Sequence, residues 1–159
     1  MTVTPADEFM RRAIALADEN VRAGRGGPFG AVVVRAGAIV AEGTNLVTST
    51  NDPTAHAEVV AIRDACRALA DFRLAGCEIY ASCEPCPMCL GAVYWARCDR
   101  LYFAAGRDDA ERAGFDDSHI YRELAVGLAA RAIPTARMLA DEGRAVLERW
   151  RATPDKIDY

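Results

Sequence analysis

The sequence predicts an α/β protein, a three-layer α/β/α sandwich with helices on both faces of a mixed sheet. Three observations carry that expectation. Apolar, β-branched runs such as residues 31–34 alternate with amphipathic segments of helical period. The first two runs lie close enough to form a hairpin, whereas the later ones are separated by helical segments. The chain is 159 residues long, which suits one domain around one core.

Thr4 is placed to cap a first helix with Pro5 at its opening position. Phe9, Ala13, Leu16 and Ala17 recur on one face, and Gly24 stops the helix. A glycine-rich loop follows over residues 24–30. Residues 31–34 and 39–42 read as a hairpin across a short Ala-Gly turn, and residues 43–52 as a loop rich in Thr, Ser and Asn. Asp52 as cap and Pro53 as first residue open a second helix, running to about Ala70 with Val59, Ile62, Cys66 and Leu69 inward. A strand over 78–82 precedes a third helix, opened by Pro85 and ending about Ala96. Then come a strand over 101–104, an acidic loop over 107–117 and a short helix near 118–124. A last short strand is expected over 134–139. A helix over 141–151 with Val146, Leu147 and Trp150 on one side precedes the tail.

The composition, 52% hydrophobic and 26% charged, is an ordinary globular balance. No apolar run is long enough to span a bilayer, and the opening MTVTPADEF has no basic stretch leading into an apolar core. Neither a membrane nor a secretory route is expected. A net charge of −4 disfavours a nucleic-acid partner, which wants a basic face. Three of the six cysteines fall within residues 83–89, which reads as metal ligation or reduced thiols in the cytoplasm rather than a disulfide scaffold.

The chemistry concentrates in two stretches, Thr54-Ala-His-Ala-Glu58 and Cys83-Glu-Pro-Cys-Pro-Met-Cys89. On a helix turning about 100° per residue, His56 and Glu58 flank the inward stripe in the first turn. Cys86 and Cys89 are three apart and share a face of the next helix, in a first turn whose N–H groups favour thiolates. One imidazole and two thiolates offset a doubly positive ion and suit Zn²⁺. His56, Cys86 and Cys89 as ligands leave the fourth tetrahedral position to a water, the catalytic pattern, and zinc lowers that water's pKa toward about 7. Glu58 then stands where it can take and pass on the water's proton. The competing arrangement is a closed structural site with Cys83 as fourth ligand. Cys83 lies at a strand end, before Glu84-Pro85 turns the chain, and is expected to point elsewhere; a structural site also leaves Glu58 without a task. Cys66, Cys77 and Cys98 are expected as small core residues.

His56-Ala-Glu58 with Pro85-Cys-Pro-Met-Cys89 has the H-x-E and P-C-x-x-C pattern of the zinc nucleobase deaminases. The chain resembles the cytidine/deoxycytidylate deaminase superfamily over nearly its full length, and within it the bacterial-type guanine deaminases. The resembling stretches are Gly26-Gly-Pro-Phe-Gly-Ala31, Glu42-Gly-Thr-Asn45, Ser49 through Glu58, Ser82 through Gly91, Tyr94-Trp-Ala-Arg97, Ala113-Gly-Phe-Asp-Asp-Ser118 and the terminal tyrosine. The resemblance implies a five-stranded sheet and a homodimer that exchanges its C-terminal segment, about residues 141–159. It implies hydrolysis of guanine to xanthine and ammonia, by attack at purine C2 with Glu58 moving protons to N3 and to the leaving amine. It further implies that Asn45 and Asp117 hydrogen-bond the purine, that Phe29 and Trp95 line or stack on it, and that Tyr159 closes the pocket from the partner subunit.

From the residues alone, Phe29 and Trp95 fit a core as well as a pocket, Asn45 fits a turn, and Asp117, like Asp116, fits an N-cap for the helix at Ser118. His119 is expected to be structural or exposed. A tRNA adenosine deaminase shares the Asp52 to Glu58 stretch but would want a basic face, and the last helix carries Asp141, Glu142 and Glu148 beside its arginines. Deamination of cytosine, a triazine or a nucleoside is a further alternative; the pocket-closing tail argues for a free base, because a ribose would compete for its space. A non-catalytic zinc-stabilised interaction module would hold zinc and release no ammonia.

Overall fold

Thr4 opens the first helix as its sequence predicts. Its hydroxyl accepts from the Asp7 N–H at 3.3 Å, and the Asp7 carboxylate accepts from the Thr4 N–H at 2.8 Å. The structure, a computed structural model, describes residues 4–158. It divides into two compact units, residues 1–117 and 118–159.

In the first unit, α1 (Pro5–Arg22) buries Ala13, Leu16, Ala17 and Asn20, one stripe of helical period. The hairpin of β1 (Gly30–Arg35) and β2 (Ala38–Thr44) is antiparallel, with a bulge between Val33 and Val34. β1 also pairs antiparallel with β3 (Cys77–Cys83), which pairs parallel with β4 (Arg100–Ala105). The strand order is β2-β1-β3-β4. The pleat of β1 sorts the core. Ala31 and Val33 pack with Ala57, Ala61, Ile62 and Ala65 of α3 (Ala57–Leu69) and with Val93 of α4 (Pro87–Trp95). Val32 and Val34 pack on the opposite face with Ala13 and Leu16 of α1. Helices therefore cover both faces of one mixed sheet, the expected α/β/α layering. The crossover through α4 makes the β3–β4 pair parallel.

α3 lies close over β2 because of one glycine. A Cβ on Gly43 would stand 2.2 Å from the Ala57 carbonyl oxygen and 2.6 Å from the Ala61 nitrogen. Any side chain there would push away the helix turn that follows His56.

Several boundaries differ from the sequence reading. The second long helix starts at Ala57 rather than at Pro53. The Asp52 carboxylate accepts from the Thr54 N–H at 2.8 Å and from its hydroxyl at 2.7 Å, so Asp52 closes a local turn instead of capping the helix. A single helical turn, α2 (Val47–Thr50), stands in the preceding loop. The third helix starts at Pro87, with Cys86 rather than Glu84 before its first residue, so that Pro87 takes the opening position tolerant of a missing donor. The acidic stretch after β4 contains α5 (Arg107–Arg112), where the Asp109 carboxylate accepts from the Gly106 N–H at 2.9 Å.

The described residues hold four strands, not five. Residues 134–139, read as a last strand, are irregular; they open with a proline that lacks a donor, and no strand ladder pairs them. The second unit consists of α6 (Ser118–Ala125), a short 3₁₀ turn (Leu128–Ala130) and α7 (Ala140–Ala152), none with a buried residue. Val146, Leu147 and Trp150 of α7 are exposed. No helix among the described residues is long and apolar enough to cross a membrane.

Candidate metal centre

α3 and α4 each begin with an extended residue that carries a metal-ligating side chain. His56 precedes α3 with φ −70° and ψ 153°, and Cys86 precedes α4 with φ −63° and ψ 168°. Neither side chain caps its own helix, so both are available to a common centre. Cys89, one turn into α4, is fully buried. The three meet as the sequence reading expects, although His56 lies just outside the first helical turn rather than within it.

The His56 Nδ1 atom stands 3.6 Å from the Cys86 sulfur and 3.4 Å from the Cys89 sulfur. In tetrahedral zinc, bonds of about 2.3 Å to sulfur and 2.0–2.1 Å to nitrogen give an N···S edge of about 3.6 Å. The three ligand atoms all lie within 4.8 Å of one another, and no other His/Cys/Asp/Glu cluster of this kind occurs among the described residues. Cys83 does not join them. Its thiol lies 3.8 Å from the Gly106 carbonyl oxygen and points toward the start of α5, as expected. The donor set, one borderline nitrogen and two soft sulfurs, fits zinc with a fourth position left over.

The electrostatics suit a cation. The thiol of Cys89 donates to the Cys86 sulfur and holds it well below the usual thiol range, at about 4, aided by His56. The shared proton pushes Cys89 up in turn. The same Cys86 sulfur raises His56. The N-termini of α3 and α4 add partial positive charge where a thiolate is wanted. Glu58, the second residue of α3, is only 7% exposed. Burial raises its carboxyl above the ordinary value and makes its ionised form a stronger base; its carboxyl interacts with the Cys89 thiol beside the ligand cluster.

The residues expected to contact a base carry groups suited to a planar, polar-edged molecule. Asn45, 6% exposed, follows β2. Its Oδ1 accepts from the N–H groups of Gly27 and Val47 at 3.2 and 3.3 Å, so the end of the amide left to donate is Nδ2. The Phe29 ring meets Phe115 edge to face, with centroids 4.9 Å apart and planes at 82°. Asp117 has a buried Oδ1 with no hydrogen-bond partner. Burial, then the nearby Cys86 sulfur, raises its carboxyl, which places Asp117 within electrostatic reach of the metal ligands.

A family model described as the cytidine and deoxycytidylate deaminase zinc-binding region matches residues 3–105. The chain belongs to that family. Among its relatives, the guanine deaminase of Bacillus subtilis (strain 168) is 52% identical over 153 residues, 96% of this chain and 98% of its own. The X-ray structure of that enzyme superposes with a TM-score of 0.94, over 96% of this chain and 98% of its own. The structure of a guanine deaminase from Nitrosomonas europaea superposes with a TM-score of 0.67 at 36% identity, over 74% of this chain and 66% of its own. A tRNA-specific adenosine deaminase of Haemophilus influenzae is 37% identical over 142 residues, 86% of this chain and 77% of that protein.

Trp95 ends α4 and is 67% exposed. Tyr159 lies outside the described residues, and His119 is exposed. Two contributors are not evident in the sequence. Phe115 hides in a motif whose acidic residues draw attention, and only its pairing with Phe29 singles it out. The Ser82 hydroxyl accepts from the Gly30 N–H at 3.0 Å and ties the glycine-rich loop to β3, a contact across 52 positions that no local pattern announces.

Replacing Cys83 with alanine should leave one zinc per chain by metal analysis, whereas alanine at His56, Cys86 or Cys89 should abolish stoichiometric binding. Loss of the metal in Cys83→Ala would mean a four-ligand, closed site.

Proposed function

We propose that this protein is a zinc-dependent hydrolase that deaminates guanine to xanthine and ammonia. The observation that carries the choice of base is the buried, unpartnered Oδ1 of Asp117 near the ligand cluster. A buried acceptor of this kind is costly until a donor fills it. Guanine offers N–H donors along its edge, whereas adenine presents no donor at ring N1. Asn45 supplies the complementary donor, Nδ2, for an acceptor on the purine. Phe29 with Phe115 offers an aromatic wall, and Trp95, exposed at the end of α4, is the second aromatic proposed to line the base.

His56, Cys86 and Cys89 would hold a zinc ion, whose chemistry there would be to acidify a water and to support negative charge on its oxygen. Glu58 accepts a proton from that water as its oxygen bonds to purine C2, and delivers the proton to N3. The second proton of the water passes through Glu58 to the exocyclic amine, the C2–N2 bond breaks, and ammonia leaves with xanthine as the second product. A buried carboxyl with a raised pKa suits both halves of this relay. Six free cysteines, three of them at or beside the metal centre, suit a reducing compartment such as the cytoplasm.

The working form is proposed to be a homodimer with exchanged C-terminal segments and a fifth strand completing the sheet. Two surfaces support this. α7 presents exposed Val146, Leu147 and Trp150, and β4 ends the sheet with exposed Phe103, near in sequence to the exposed Tyr94 and Trp95 of α4. Exchange of a terminal element is a low-cost route to a symmetric pair. Tyr159 would then close the partner's pocket and keep water and a ribose out.

Ammonia release measured across purines, pyrimidines, nucleosides and a tRNA anticodon stem-loop should be fastest with guanine; faster release from adenosine in the RNA would overturn the free-base reading. Glu58→Gln should keep zinc and lose at least about 10²-fold in turnover, the low end of general acid–base contributions; near-normal turnover would remove Glu58 from the chemistry.

Deleting residues 155–159 should preserve the fold and zinc but cut guanine turnover sharply and admit guanosine. Unchanged guanine kinetics after the deletion, or a monomer with full activity in sedimentation and assay, would reject the exchanged tail.

A further inference from the structure

α1 buries one polar side chain on its apolar stripe. Asn20 is 0% exposed, in line with Ala13, Leu16 and Ala17. An amide in such a place costs stability unless its donors and acceptor are all used. Here they are. Its Nδ2 donates to the Gly27 carbonyl at 2.9 Å and to the Asn45 carbonyl at 2.8 Å. Its Oδ1 accepts from the Arg25 Nε–H at 3.3 Å. Two carbonyls on one side and a guanidinium on the other fix which end of the amide faces which way, because the flipped amide would set oxygen against oxygen.

The two carbonyls belong to the two segments that shape the proposed purine pocket. Gly27 lies in the glycine-rich loop two residues before Phe29, and Asn45 is the donor at the end of β2. The segments are also bound directly to each other. The Asn45 Oδ1 accepts from the Gly27 N–H at 3.2 Å, and the Asn45 N–H donates to the Phe29 carbonyl at 3.1 Å. They lie so close that a Cβ on Gly26 would stand 2.2 Å from the Asn45 carbonyl oxygen, and one on Gly27 would touch the Phe29 ring at 3.3 Å. From the helix layer behind them, the Asn20 side chain holds both segments at once.

We infer that Asn20 is a positioning residue for base recognition: from α1 it locks the glycine-rich loop onto Asn45, and so fixes where the Asn45 donor meets the purine. This rests on the reading of Asn45 as a purine contact. The hydrogen bonds of the Asn20 side chain go to Gly27, Asn45 and Arg25 rather than to the metal ligands or Glu58, so its effect falls on binding rather than on the proton relay. Its role differs from that of a general core residue in one measurable way, because it acts through Asn45.

The test is a double-mutant cycle on kcat/KM for guanine with Asn20→Ala and Asn45→Ala, with zinc content and thermal unfolding measured for each variant. Asn20→Ala should keep zinc, raise KM at least about 10-fold and leave kcat within about twofold, since loss of binding common to ground and transition states appears in KM. In the Asn45→Ala background the same change should cost less than about a further twofold. Independent, multiplying losses in the double variant, or an unchanged KM in Asn20→Ala, would overturn the inference. If Asn20→Ala does not fold, the near-isosteric Asn20→Leu, which fills the space and removes only the amide, takes its place in the cycle, with the same changes expected and the same results overturning the inference. If Asn45→Ala itself leaves kcat/KM unchanged, the purine-contact reading of Asn45 fails and the inference falls with it, whereas a loss in Asn45→Ala without one in Asn20→Ala breaks the inference alone.

Discussion

Two helix N-termini have to converge so that one imidazole nitrogen faces two sulfurs at about the edge length of a zinc tetrahedron. Distances of 3.6 and 3.4 Å meet that requirement. α3 and α4 lie on the same face of the sheet and share one apolar core with β1 and β3, which fixes their relative placement to within packing tolerance. The glycine at position 43 lets α3 approach β2 closely enough for this. A looser packing of either helix would open the edge beyond what a metal can bridge.

The same convergence explains an otherwise unfavourable local chemistry. Two thiols, an imidazole and a buried carboxyl are crowded together, and burial raises Glu58 and Cys83. Such a cluster costs stability in a purely structural protein. A doubly positive ion between helix N-termini offsets it and releases the protons held there, so metal binding and folding support each other. Glu58 lies outside the ligand cluster but interacts with its Cys89 thiol, which suits the proton-moving role proposed for it.

The side proposed to recognise the base is built differently. It rests on irregular chain rather than on helix ends, and irregular chain must have its backbone groups satisfied individually. Asn45, Ser82 and Asn20 do this for the glycine-rich loop through hydrogen bonds of 2.9–3.2 Å. Asp117 is the exception: one of its oxygens is buried without a partner, and that unmet acceptor is the group proposed to take a donor from the purine.

By itself the sequence determined the layered α/β class, the hairpin and the three residues of the candidate metal cluster, because these depend on local periodicity and on ligand types that few other tasks explain. Strand and helix periods are written within ten or so residues, and His56, Glu58, Cys86 and Cys89 sit in two short runs. Tertiary structure decided what depends on groups far apart in the chain. It gave Asp52 to a turn and His56 to the helix start, because Thr54 outcompeted the helix for the Asp52 carboxylate. It turned Cys83 toward Gly106, left residues 134–139 without a strand to pair with, and set Asn20 behind Asn45 across 25 positions. A buried amide on an apolar stripe looks like an error in a helical pattern. Only the fold shows the two carbonyls it serves, since hydrogen-bond satisfaction is a property of the packed chain and not of its local sequence.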